Sequence, residues 1–204
     1  MAFNVVFHVV KTNKKNGSKI AKDSVSWLYF GSKNIEWHKY KSDFDYMSLV
    51  LDILDNSKFQ KTNTCRHHGL TRYEHSLRVS YYSYVLAKKL RLDYKSVARA
   101  GLLHDFFITE DLKESYRKIS AFVHPYIALT NACKYFELNE MEKDIIITHM
   151  FPTLPHKVPK YLESWLVSLV DKVVATYEFY YSYAAPRIYK VSNLYIFLLI
   201  FMKW

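Results

Sequence analysis

Five side chains able to bind a metal ion stand at or near the ends of apolar, helix-patterned segments: His75, the adjacent pair His104 and Asp105, His149, and Asp171. A single inward histidine is ordinarily a hydrogen-bonded core residue. Imidazoles and carboxylates converging from separate helices instead describe a divalent metal site inside a bundle. Cys65 and Cys133 are too few for a thiolate cluster, so the donors are nitrogen and oxygen. That set admits Mn, Fe, Co, Ni or Zn and suits Mg less. A cation so held lowers the pKa of bound water from about 15.7 toward ~7 and screens phosphoryl oxygens, which is chemistry for hydrolysing a phosphate ester. Asp105 can ligate through one oxygen and orient water with the other. Arg72 and Lys172, each close to a ligand in sequence, can hold phosphate oxygens.

Capping chemistry locates the helices that must carry these groups. Thr71 and Glu74 form a capping box, so a helix is predicted to begin at Arg72. Asn139 and Glu142 repeat the device ahead of Asp144 to Met150. Asp93 can cap a helix running to His104 and Asp105, and Pro125 suits the first position of a helix running to about Phe136. His75, Val79, Tyr82 and Leu86 follow spacings of four, three and four, which turns His75 inward. Val97, Gly101 and His104 share a face, as do Val167, Asp171, Val174, Ala175 and Glu178 on the helix after Pro159. A carboxylate buried there needs a partner.

Composition narrows the alternatives. Half of the 204 residues are apolar, enough for a buried core, and at ~150 residues per domain one domain with an appendage fits. The four glycines have no pairing that lets a loop wrap a pyrophosphate, which excludes dinucleotide-fold and P-loop readings. No proline precedes Pro125, so long helices are permitted before it. Nothing at the N-terminus has the pattern of a signal peptide, and the cysteine usage fits a reducing cytoplasm. Leu194 to Met202 is an apolar run about half as long as a bilayer span, read as a core-packing helix. Residues 1–40 hold a β-branched opening (Val5, Val6, Val9, Val10), a Lys/Asn-rich stretch from Lys11 to Lys19 and an apolar patch from Val25 to Phe30, a pattern fitting strand, turn and strand. The net charge of +10 is shared evenly between residues 1–68 and 69–204. Such a diffuse positive field favours anionic ligands, and no zinc finger or aromatic RNA-binding signature is present.

His75, then His104-Asp105 in the string Ala-Gly-Leu-Leu-His-Asp, then Asp171-Lys172 followed by Ala175, resembles the HD-domain phosphohydrolase superfamily. Arg72-x-x-His75-Ser76 with Val79 adds to the likeness, which runs from about Asp45 to Glu178. The resemblance implies an all-α helical bundle in which His75, His104, Asp105 and Asp171 hold a metal. A subset resembling cyclic-dinucleotide phosphodiesterases has further histidines before the last aspartate. Here His124, His149 and His156 occupy that interval, and the resemblance extends to a second metal held by them. The adjacent histidine doublet and Gly-Tyr-Pro motif of those enzymes are absent.

The expectation is therefore an HD-type metal-dependent phosphohydrolase domain over residues 41–185, an N-terminal extension over 1–40 and an apolar C-terminal helix or tail over 186–204. Its substrate is a phosphorylated small molecule, foremost a nucleotide, with Asp105, Arg72 and Lys172 as the catalytic groups. A cyclic-dinucleotide phosphodiesterase and a non-catalytic nucleotide-binding module are the alternatives. Neither a specific nucleic acid nor a membrane span is expected.

Overall fold

The structure, a computed structural model, describes residues 40–67, 70–111, 120–180 and 182. The expected N-terminal strand pair and the run Leu194–Met202 lie outside the described residues. The helices below belong to the unit Lys39–Trp204.

Side-chain caps start most of them. Helix α1 (Phe44–Leu54) opens at Asp43, whose carboxylate accepts from the Tyr46 N–H at 3.0 Å. The short α2 (Ser57–Gln60) opens at Asn56 and runs into a 3-10 turn, Lys61–Thr64. Strands β1 (Arg66–His67) and β2 (Leu70–Thr71) pair antiparallel, Arg66 opposite Thr71, and lead into α3 (Arg72–Leu90). As predicted, α3 starts with the Thr71–Glu74 capping box. Then follow α4 (Tyr94–Leu103), capped by Asp93, a 3-10 turn at Thr109–Asp111, α5 (Ser120–Tyr135), α6 (Glu140–Thr148), capped by Asn139 and Glu142, and α7 (Leu162–Phe179). The fold is all-α, as expected.

Two expectations need correction. Helix α5 begins at Ser120, so Pro125 lies inside it rather than at its first position, and His124 sits within a helical turn rather than at an N-cap. A proline this near a helix start deprives only the carbonyl four residues earlier of its donor, so the helix continues through it. On α3, His75 and Val79 are buried, but Leu86 is exposed. Ser80 meets α4, and Ser76, Ser83 and Ala87, at helical spacing from it, are buried small residues as well.

Helix α3 is the central strut, packed along α4 and against α7, while α6 touches α4, α5 and α7. Gly101 makes the first of these contacts close. A Cβ there would lie 3.0 Å from the Ser80 Cα, so only glycine lets the two backbones meet at this distance. The Ser80 hydroxyl donates to the Ala98 carbonyl at 2.6 Å and lies 2.8 Å from the Tyr46 hydroxyl, which satisfies it in the core. At the other seam the buried Asp144 carboxylate accepts from the Lys160 N–H (3.0 Å) and the Ser164 hydroxyl (2.7 Å), fixing the start of α7 against α6. Among the described residues no helix is long and apolar enough to cross a membrane.

Candidate metal centre

Three buried histidines and two buried aspartates meet where α3, α4, α6 and α7 converge. His104 and His149 are the C-caps of α4 and α6. The last carbonyls of a helix lack an intrahelical donor, and each ring uses one: His104 Nδ1 donates to the Gly101 carbonyl at 2.8 Å, His149 Nδ1 to the Ile146 carbonyl at 2.7 Å. With the proton fixed on Nδ1, Nε2 carries a lone pair toward the interior. His75 lies in the first turn of α3, with Nδ1 donating to Glu178 Oε2 at 2.8 Å and Nε2 3.1 Å from Asp171 Oδ1.

The donor atoms fall into two groups that share His104. His75, His104 and Asp171 form one, and His104, Asp105 and His149 the other, with the ligand atoms of each within 4.8 Å of one another. His124 joins the second, its Nε2 2.9 Å from His149 Nε2 and 3.2 Å from Asp105 Oδ1, its ring stacked on Phe107. His156 does not join. It is exposed in the loop after α6, with Nε2 3.3 Å from the Tyr126 hydroxyl.

The electrostatics separate the histidines. Burial disfavours charge on His75, but its hydrogen bonds to Asp171 and Glu178 outweigh this and raise it to about 10. Burial, then the neighbouring His104 and His124 rings, push His149 down to about 3, so it remains neutral. Burial pushes the Asp171 carboxyl up, yet the His104 and His75 rings hold it well below the usual carboxylate range.

Arg72 and Lys172 are turned toward these donor groups. The Arg72 guanidinium lies 3.7 Å from the centre of the Phe107 ring, donates to the Phe107 carbonyl at 3.0 Å, and brings Nε to 3.9 Å from Asp105 Oδ2. Lys172 Nζ donates to the His149 carbonyl and to Asp171 Oδ2, the latter at 3.1 Å. Both brace residues of the two donor groups or their neighbours. The segment after His104-Asp105 is pinned by Asp111, which accepts from Lys58 Nζ (2.8 Å), the Ile108 N–H (2.9 Å) and Asn131 Nδ2 (2.9 Å).

The arrangement fits a divalent cation on one further ground. His104 Nε2 is buried and makes no hydrogen bond among the described residues, its nearest carboxylate oxygen being Asp171 Oδ1 at 3.6 Å. A buried lone pair without a donor is costly, and coordination satisfies it. Sequence reasoning placed Glu178 on the inward face of its helix without giving it a role. The available signal was its spacing of two helical turns from Asp171.

Histidines and aspartates thus close on one buried centre from four helices of an all-α bundle. The HD domain family model matches residues 72–176, just over half of the chain, and the chain belongs to that family, within the metal-dependent phosphohydrolase superfamily. No curated protein and no solved structure matches the chain.

Proposed function

We propose that this chain hydrolyses a phosphate ester of a nucleotide or related small molecule, with His75, His104, Asp105 and Asp171 as ligands of a divalent cation and His149 and His124 extending the site to a second. The observation that carries this reading is that two buried donor groups share His104, whose Nε2 has no partner within hydrogen-bond distance among the described residues. Mn, Fe, Co, Ni or Zn suits such nitrogen and oxygen donors. The cation supplies a water of lowered pKa and screening of the phosphoryl charge.

The protein's own part is to place and orient. The carbonyls of Gly101 and Ile146 hold the His104 and His149 rings with Nε2 inward. Asp105, between Arg72 Nε and His124 Nε2, has one oxygen for a ligand bond and one to align the attacking water. Lys172 and Arg72 add positive charge beside the place where a phosphate would lie. The reading takes residues 41–185 as the catalytic domain. It also takes the chain to work in a reducing cytoplasm.

The decisive experiment couples elemental analysis of the purified protein to phosphate release from nucleotides and cyclic dinucleotides with added Mn, Co, Ni or Mg. His104→Ala and Asp105→Ala are each expected to lose bound metal and at least ~100-fold in turnover with far-UV circular dichroism unchanged. Full activity in either variant with metal added back would remove the proposed site. Nucleotide binding without metal-dependent turnover would make the domain a sensor instead.

A further inference from the structure

Glu178 lies near the C-terminal end of α7, two residues past the family match. It follows Asp171 by seven residues, close to two helical turns, so the two residues share a face with their Cα atoms about 10 Å apart along the axis. One imidazole spans them: His75 meets Asp171 Oδ1 with Nε2 at 3.1 Å and Glu178 Oε2 with Nδ1 at 2.8 Å. The Glu178 side chain is fully buried, and its second oxygen accepts from Arg78 Nη1 at 3.2 Å. A carboxylate at that depth is costly unless its donors are in place.

The reason for a carboxylate here is the position of His75 in its helix. His104 and His149 cap helix C-termini, where free carbonyls accept their Nδ1–H. His75 sits in the opening turn of α3, where the unsatisfied backbone groups are N–H donors. No carbonyl of its own helix end is available, so the acceptor comes from another element. A charged acceptor also does more than a carbonyl, because it draws the Nδ1 proton toward itself and makes Nε2 a stronger donor to a cation.

We propose that Glu178 is a positioning residue of the metal centre: by holding the His75 ring with its Nδ1 proton outward, it sets the affinity of the His75–His104–Asp171 group for its cation. The inference rests on the metal reading above. Arg78 holds the carboxylate in turn, so that α3 supplies both the ligand and the counter-charge of its support.

The test is a Co(II) titration of the full chain, stripped of metal, followed by the visible absorption of the bound ion and by elemental analysis. Glu178→Gln keeps the shape and removes the charge. Its Co(II) affinity is expected to fall by ~10-fold, and that of Glu178→Ala by ~100-fold. The Glu178→Gln absorption bands should keep the wild-type positions because the ligands are unchanged. The loss should be confined to one binding phase, leaving a cation held by His149 and Asp105 at its wild-type affinity, which a general loosening of the fold would not do. Wild-type Co(II) affinity in whichever variant folds, measured against a wild-type protein that binds, overturns the role of Glu178 alone. Absence of any saturable binding in wild type that His104→Ala removes overturns the metal reading, and this inference with it.

Discussion

Replacing Gly101 by alanine tests whether the contact between α3 and α4 sets the geometry of the site. The new Cβ would stand 3.0 Å from the Ser80 Cα and 3.5 Å from its nitrogen. Ordinary carbon contacts lie at ~3.5–4.0 Å, so the helices must part by roughly 0.5 Å, because the obstacle is main chain and has no rotamer to change. Overpacking of this kind costs about 1–3 kcal/mol. Alanine's better helix propensity returns about 1 kcal/mol, leaving a net loss near 1 kcal/mol and a fall in Tm of about 2–4 °C for a domain of this size. The effect on the site should be larger than the effect on the fold. His104 follows Gly101 by three residues, and its ring centre is 5.4 Å from that of His75 across this contact. Donor sets tolerate displacements of only ~0.5 Å, so Co(II) affinity is expected to drop by ~10-fold. Thermal unfolding of the metal-free protein and a Co(II) titration read the two quantities separately. Wild-type Tm together with wild-type affinity would refute the reasoning, since it would mean that the helices are free to adjust at no cost.

His149→Ala should reduce the metal-to-protein ratio from two to one by elemental analysis, and a ratio of one in both proteins would confine the site to the His75–His104–Asp171 group. Asp111→Asn should lower stability at pH 7 by about 1–2 kcal/mol, because the carboxylate takes hydrogen bonds from Lys58, the Ile108 N–H and Asn131. Burial pushes the Asp111 carboxyl up, but those donors outweigh it and hold it below the ordinary value in the folded chain. Its contribution is therefore fully present above the unfolded pKa of about 3.9 and is lost as pH falls through the folded value. The gap in denaturant midpoint between wild type and variant should close in that window, and a gap unchanged down to pH 2 would contradict the assignment.

The starts of α3 and α6 were legible because capping boxes are local: Thr71 with Glu74 and Asn139 with Glu142 need only four consecutive residues to be read, whereas Pro125 misplaced the start of α5. The candidate donors were legible for a related reason, since few residue types can bind metals and these stood on or at the ends of apolar, helix-patterned segments. The contact face of α3 was not. Ser76, Ser80 and Ser83 are polar yet buried, and at Ser80 the reason is its close approach to Gly101 on the facing helix, where the Ala98 carbonyl gives it an acceptor. That fact belongs to a pair of helices, and periodicity within one segment does not carry it. His156 was grouped with His124 and His149 by order along the chain, whereas the loop after α6 carries it away to Tyr126. Glu178 shows the converse: its face was readable, but its role depends on which ring lies opposite, and that is decided by the packing of α3 on α7.

The use of main-chain carbonyls to orient His104 and His149 bears on how this centre can change over generations. A side-chain substitution cannot delete a carbonyl, so a change at Ile146, or one at Gly101 despite its packing cost, leaves the acceptor itself in place, and the tautomers of those two histidines are sheltered from drift. His75 has no such shelter. Its Nδ1 rests on the Glu178 carboxylate, which a single-base change can remove, so on the metal reading proposed above position 178 is a place where a copy of this chain under relaxed selection would loosen its hold on a cation with every proposed ligand still encoded.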